Sequence, residues 1–456
     1  MEKLMQFVWQ HRLWDYTPLV TSDGRQVRIL NPGTLNCDAG PDFFNASIEI
    51  GGQRWAGNIE LHVKASDWYR HGHDRDRAYD SVILHVVMTD DAPVYRPDGN
   101  VIPQITVRCS SAAAARCNLL MSGAASSLPC ASTIATLPTL FHTEWISALA
   151  LQRLYNKSDR ILRLVEYTEG DWEAAAYITL SRALGFGLNA EPFEILAKNL
   201  PLKFLNRHRD ELVTMEALIF GQAGMIPSPT ADEDGYVTRL RQEYQFMARK
   251  FSLTPIPLQW KLARTRPQNF PYRRLAMLAQ KIHQGFRLIG QLDDIIADFY
   301  RARSKAAMES ICYYSHTDGI EYPDLPSLSA IRREFDIRLT GFWTTRYTFA
   351  NTYGASPRAL NEATIDRLMI NVAIPLILAR ATARGDIDTV SLIPDLLRCF
   401  RAEDNKDVRL FTSAGVACHD AFDSQAMIQL RREYCEKNKC IYCRFGHRML
   451  AVEIQK

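Results

Sequence analysis

Residues 36–68, NCDAGPDFFNASIEIGGQRWAGNIELHVKASDW, decide how the first part of the chain is read. Phe43 to Ile50 alternates apolar and polar side chains and then meets Gly51-Gly52, a hairpin signal, after which Trp55 to Lys64 runs back as a second strand. Successive side chains of a strand take opposite faces, so Glu60, His62 and Lys64 share one face while Leu61 and Val63 take the other. Asp42 stands where the first strand begins, which puts it near the end of the second, within reach of Glu60 or His62. Two carboxylates and a backbone carbonyl suit a hard cation such as Mg²⁺, which prefers oxygen ligands and keeps waters to present to phosphate. Such an ion lowers the pKa of a water and offsets charge on a phosphoryl group. His62 would position or activate that water, or ligate a softer ion such as Mn²⁺, and Lys64 would stabilise the phosphate.

The flanking sequence predicts the rest of an α/β unit over residues 1–108. Leu4, Phe7 and Val8 recur at helical spacing, and Gln26 to Leu30 is a short strand after the Asp23-Gly24 turn. A helix capped by Ser66 or Asp67 is expected to run toward Tyr79, weakened by Gly72. SVILHVVM, residues 81–88, is a buried strand, and residues 93–107 add a hairpin. The resulting order is α-β-β-β-α-β. Residues 109–139, rich in Ala, Ser and Pro, read as a linker. Residues 140–456 read as a mainly helical domain, with apolar residues three and four apart in, among others, residues 144–154, 172–184, 211–220, 236–250, 271–284, 330–339 and 424–435.

At this point the residues resemble a superfamily. The α-β-β-β-α-β order, with Pro41-Asp42 opening one strand and Glu60-Leu61-His62 in the next, looks like the PD-(D/E)xK nuclease-like superfamily. The resemblance implies a nuclease-like core whose metal ligands are Asp42 and Glu60, with Glu2 on the first helix as a further acidic ligand for Mg or Mn. It departs from the superfamily at the catalytic Lys position, which holds His62, with Lys64 as a displaced substitute. The whole chain is also similar to an uncharacterised bacterial family of unknown function through GPDFFNA, IELHVKASDWYRHGH, VILHVV, FGQAG, NFPYRR and SQAMIQLRREYC followed by KCIYC.

Four of the eleven histidines fall within residues 62–85. His85, among Val and Leu, reads as a hydrogen-bonded core histidine. His71 and His73, followed by Asp74 and Asp76, read as a supporting shell for Glu60, or as the ligands of a small-substrate hydrolase. Three of the ten cysteines, Cys435, Cys440 and Cys443, form C-x4-C-x2-C. Thiolates so spaced converge on Zn²⁺ or an iron-sulfur cluster, with Cys130, Cys418 or His447, in that order, as fourth ligand. The same thiols without metal would be small buried hydrophobes.

Charge is informative only in its distribution. The formal net charge is +3, yet residues 244–292 contain no Asp or Glu and nine Lys or Arg. Within them Lys261, Arg264, Arg266, Arg273 and Arg274 alternate with Phe270 and Tyr272, a pattern that suits phosphates and unpaired bases. The bland alternative is a solvated helix face paired with acids elsewhere. A chain of 456 residues that is 47% hydrophobic and 23% charged is a globular protein of two to four domains. Its N-terminus has no secretory pattern, and residues 369–379 are too short, and too interrupted by Asn371 and Pro375, to span a membrane. A cytoplasmic location is expected. The sequence therefore supports a metal-dependent nuclease acting on DNA or RNA, or an inactive nucleic-acid-binding scaffold on the same fold.

Overall fold

The computed structural model describes residues 2–451 except 11, 13, 15–17, 37–39, 97, 109–114, 116–118, 121–127, 232, 264, 305–325 and 351–358. The chain forms two compact units. The first comprises Met1–Trp145, Arg409–Val416 and Leu430–Lys456, and the second Ile146–Val408 and Ala417–Gln429.

The first unit is built on one sheet. Its strands are β1 (Leu19–Val20), β2 (Gln26–Asn31), β3 (Thr34–Leu35), β4 (Phe43–Ile50), β5 (Gln53–Lys64), β6 (Val82–Thr89) and β7 (Gln104–Thr106). They run in the order β1-β2-β4-β5-β6-β7, with β3 on β4. The β1 to β5 pairings are antiparallel, whereas β5, β6 and β7 are parallel. Thr21 at the end of β1 bridges Ile105 of β7, which curls the sheet toward a barrel. The hairpin turns at Gly51 and Gly52, both at positive φ (57° and 84°), the conformation that a two-residue turn demands of its central residues.

One irregularity in β4 positions the site. From Ile50↔Gln53 to Ala46↔Gly57 the hairpin keeps one register, but the next pair is Phe43↔Ile59, one residue out of step. Asn45 takes up the extra residue at φ 57°, with its N–H donated to the Asn58 side-chain oxygen. Without this bulge Asp42 would fall level with Leu61; with it, Asp42 comes level with Glu60.

Helix α1 (Glu2–Gln10) lies against β5, burying Leu4, Met5, Phe7 and Val8. The crossover from β5 to β6 is shorter in helix than the sequence suggests. Helix α2 (Asp67–Arg70) stops after four residues because Gly72 turns to φ 77°, and two 3₁₀ turns, His73–Arg75 and Arg77–Tyr79, complete the connection. Trp68 and Tyr79 anchor it by packing with Val82, Val94 and Ile102. The sequence reading placed the whole C-terminal region with the helical part. In the structure its last segment belongs to the sheet unit, because helix Arg444–Ala451 packs on helix Ala131–Thr136, and the turn Cys440–Tyr442 packs on α1.

The second unit is helical, as expected. Helices occupy Trp172–Leu184, Ala190–Asn199, Leu212–Gln222, Gly235–Phe251 and Pro271–Gln284, among others. The helix expected over residues 330–339 instead ends at Glu334; Ile337 and Leu339 are buried but not helical. Among the described residues no helix is long and apolar enough to cross a membrane.

Glu216 is buried within this unit beside the Tyr236 hydroxyl, which accepts the Trp343 indole N–H at 3.0 Å. Burial pushes its pKa to about 7, against the hydrogen bonds from Tyr236 and Trp343. A carboxyl whose pKa is higher folded than unfolded stabilises the fold below its unfolded pKa and stops doing so as pH rises through its folded value. As pH rises from about 4.5 to 7 the free energy of unfolding is therefore expected to fall by roughly 3 kcal/mol from this group, and the melting temperature with it. Thermal melts of Glu216→Gln across that window, less steep than those of the parent chain, check it, since the raised carboxyls of Asp42 and Asp420 keep part of the slope; an unchanged slope removes Glu216 as a cause.

Candidate metal centre

Strand β5 projects Glu60 and His62 to the same side, and both are buried. Glu60 Oε2 accepts the backbone N–H of Asp42 at 2.9 Å, and Asp42 Oδ2 accepts that of Leu61 at 3.0 Å. The other Asp42 oxygen accepts from Gln6 Nε2 at 2.7 Å. The two carboxylates are thus locked together by backbone donors. Burial, and next the negative charge of Glu60, push the Asp42 pKa up to about 7. A carboxyl poised there can hold or release a proton at neutral pH. Glu2 adds a smaller push in the same direction.

The crossover delivers two more imidazoles. His62 Nε2 lies 3.1 Å from His71 Nδ1 and 3.6 Å from Glu60 Oε1, and His73 Nε2 lies 3.3 Å from the same Glu60 oxygen. One donor atom from each of His62, His71 and His73 falls within 4.8 Å of the others. Four bonds of about 2.0–2.1 Å around a tetrahedral ion would hold their donors about 3.3 Å apart, close to these separations. His73 is fixed by stacking on Tyr79, with ring centroids 3.8 Å apart.

A hydrogen-bond relay sets which nitrogen of His62 faces this point. The Gln104 side-chain amide donates to Asp90 and to the Ala92 carbonyl, so its oxygen must accept from His85 Nδ1, 2.9 Å away. His85 Nε2 is then the acceptor for His62 Nδ1–H at 2.8 Å, leaving the His62 Nε2 lone pair turned to Glu60 and His71. Both rings sit neutral. Burial, reinforced for His62 by the surrounding imidazoles, drops its pKa to about 2, and burial drops that of His85 to about 4. That lone pair is free to accept a proton from His71 Nδ1, 3.1 Å away, or to bind a cation shared with the neighbouring donors. The donor set, imidazole nitrogens with one carboxylate, fits Mn²⁺, Fe²⁺ or Zn²⁺ better than Mg²⁺. A ligating histidine oriented by an outer partner loses about 10–100-fold in metal affinity when that partner goes. His85 is that partner of His62, and Gln104→Ala, one step further out, is expected to weaken Mn²⁺ binding by about 10-fold, the low end of that range, in a calorimetric titration; unchanged affinity would detach the relay from the centre.

The sequence-derived residues divide. Asp42, Glu60, His62, His71 and His73 come together. His62, read as the group that activates water, is better suited as a ligand, because its ring is neutral and its Nδ1 proton is committed to His85. Lys64 is exposed at the end of β5, and the closest feature of its own backbone is the N–H given to Asp67 at 3.2 Å. Gln6, Gln104 and Tyr79 were not singled out from sequence. A polar glutamine at a strand position that proves 4% exposed was the available signal for Gln104.

The basic run needs correction. Arg273 and Arg274 are 1% and 3% exposed and face the interior of the second unit. Arg273 donates to the carbonyls of Trp343 and Arg346 at 2.8 and 3.0 Å, and Arg274 donates to Asn269 and lies over the Phe186 ring. These are structural arginines. Lys261 and Arg266 are exposed, Phe270 and Tyr272 are half-buried, and Arg264 lies outside the described residues. The surviving exposed cations do not by themselves make a nucleic-acid surface.

A family profile described as "Protein of unknown function (DUF2851)" matches residues 2–406. No curated protein and no solved structure matches the chain.

Proposed function

The chain belongs to the DUF2851 family, which brings no activity with it, and we propose from its own residues that the first unit is a metal-dependent nuclease, hydrolysing phosphodiester bonds of DNA or RNA with Mn²⁺ before Mg²⁺. The observation that carries this is the grouping of His62, His71 and His73, whose donor atoms lie within 4.8 Å of one another, with Glu60 beside His62 and His73 and hydrogen-bonded to the Asp42 N–H. The choice of phosphodiester over other substrates rests on the sequence resemblance of Pro41-Asp42 and Glu60-Leu61-His62 to the PD-(D/E)xK pattern, although the sheet has five strands between α1 and α2 where that pattern expects three.

Glu60 and the three imidazoles would hold the ion. When bound, it supplies a polarised water and positive charge for phosphoryl oxygens. Asp42, near neutrality in pKa and fixed by Gln6 and the Leu61 N–H, would take the proton from the attacking water. Its oxygens keep spare lone pairs for that role. Lys64 at the end of β5 and Arg70 at the end of α2 are exposed and would meet a polyanion.

One observation favours a second reading, a nucleic-acid-binding scaffold on the same fold: Lys64 does not enter the centre, and a neutral histidine stands at the lysine position. Labelled single- and double-stranded DNA and RNA, incubated with Mn²⁺ or Mg²⁺, separate the two. Cleavage lost in both Asp42→Ala and Glu60→Ala supports the nuclease. Binding without cleavage gives the scaffold, and hydrolysis of small phosphate esters alone, dependent on His71, rejects both.

A further inference from the structure

A second group of ligating side chains lies elsewhere in the first unit and has no part in the chemistry above. Cys130 stands at the N-terminal end of helix Ala131–Thr136. That helix packs against Arg444–Ala451, the helix that begins directly after Cys443. Cys435 ends a π-helical turn, Leu430–Cys435, and Cys440 begins the 3₁₀ turn that packs on both. The approach is close: a Cβ added to Gly446 would lie 2.2 Å from the Cys440 carbonyl oxygen. Four cysteines 313 residues apart in sequence at their extremes are thereby gathered, and none is in a disulfide.

The sulfurs sense one another. Burial, together with the neighbouring Cys443 and Cys440, raises the pKa of Cys130 to about 12; Cys435 is raised by burial and then by Cys443, Cys130 and Cys440. Cys443 is raised by burial too, opposed by the Gly446 and Phe445 N–H groups aimed at its sulfur. Backbone N–H donors at a helix start favour a thiolate. A cluster of buried thiols that would have to ionise against each other is stable as thiolates only around a cation.

We infer that Cys130, Cys435, Cys440 and Cys443 ligate an iron-sulfur cluster that clasps the C-terminal segment to the sheet unit. Its grouping, three cysteines within nine residues and one remote, is the pattern of iron-sulfur ligation, whereas structural zinc sites pair two short knuckles. The clasp closes a loop of some 300 residues, so its loss would free the segment that follows Leu430.

The full chain, purified without oxygen, is expected to be coloured and to carry iron and acid-labile sulfide in equal amounts. Cys130→Ser should lose at least tenfold of both, and Cys399→Ser, a buried cysteine of the other unit, neither. Limited proteolysis after residue 430 should accelerate about tenfold in Cys130→Ser. If that variant is insoluble, the parent chain bleached with an iron chelator gives the same comparison. Stoichiometric zinc without sulfide overturns the proposal. So does a parent chain that takes up no iron after reconstitution with ferrous iron and sulfide, or one whose proteolysis ignores bleaching.

Discussion

Glu60→Gln is expected to reduce Mn²⁺-dependent cleavage by on the order of 10³-fold, about 4 kcal/mol of barrier, while the protein stays folded. Glutamine keeps an oxygen that can accept the Asp42 N–H, so the local backbone link at 2.9 Å survives. What disappears is the anionic donor that faces both His62 and His73. Metal affinity should fall by more than the 10–100-fold that losing an outer partner costs. The change also has a sign in pH. Since the charge of Glu60 helps raise the Asp42 pKa to about 7, removing it lowers that pKa, and the acid limb of any residual activity should shift to lower pH. Cleavage at the parent rate in Glu60→Gln, with Mn²⁺ binding intact, would remove the centre from the mechanism.

The second large effect concerns the other unit. Gly221 lies in the helix Leu212–Gln222 against the helix Gly235–Phe251, and a Cβ there would sit 2.1 Å from the Tyr244 ring. The ring cannot swing away, because Tyr244 is buried and its hydroxyl is within 3.3 Å of Gln222. Overpacking of this kind costs about 3 kcal/mol or more, against a helix-propensity gain of about 1 kcal/mol. Gly221→Ala should lower the melting temperature by roughly 5 °C or more. Adding Tyr244→Leu should recover part of the loss, as expected for residues in contact. A parent-like melt for Gly221→Ala alone would show that the two helices are not held this close.

Much of the sheet was legible because strand alternation and a Gly-Gly turn are local signals. The same alternation put Glu60 and His62 on one face, and the acid at the start of β4 followed. The histidine pair of the crossover was read only as a supporting shell or an alternative ligand set, since Gly72 signalled a weak helix but nothing local shows that His73 folds back onto Glu60. Gln6 and Gln104 were invisible for a related reason: each matters through a partner 36 or 19 residues away. The basic run failed on burial. Counting cations says nothing about whether a guanidinium will be satisfied by main-chain carbonyls, as Arg273 is by Trp343 and Arg346.

The bulge at Asn45 carries a lesson for anyone who would move this centre to another scaffold or hunt for it by spacing. Asp42 and Glu60 are neighbours because the ladder skips a beat between them. A transplant that copied the side chains onto a regular hairpin would turn the aspartate to the wrong neighbour, and a search keyed to an even count across the turn would pass over it. What has to be inherited here is a misalignment of the main chain.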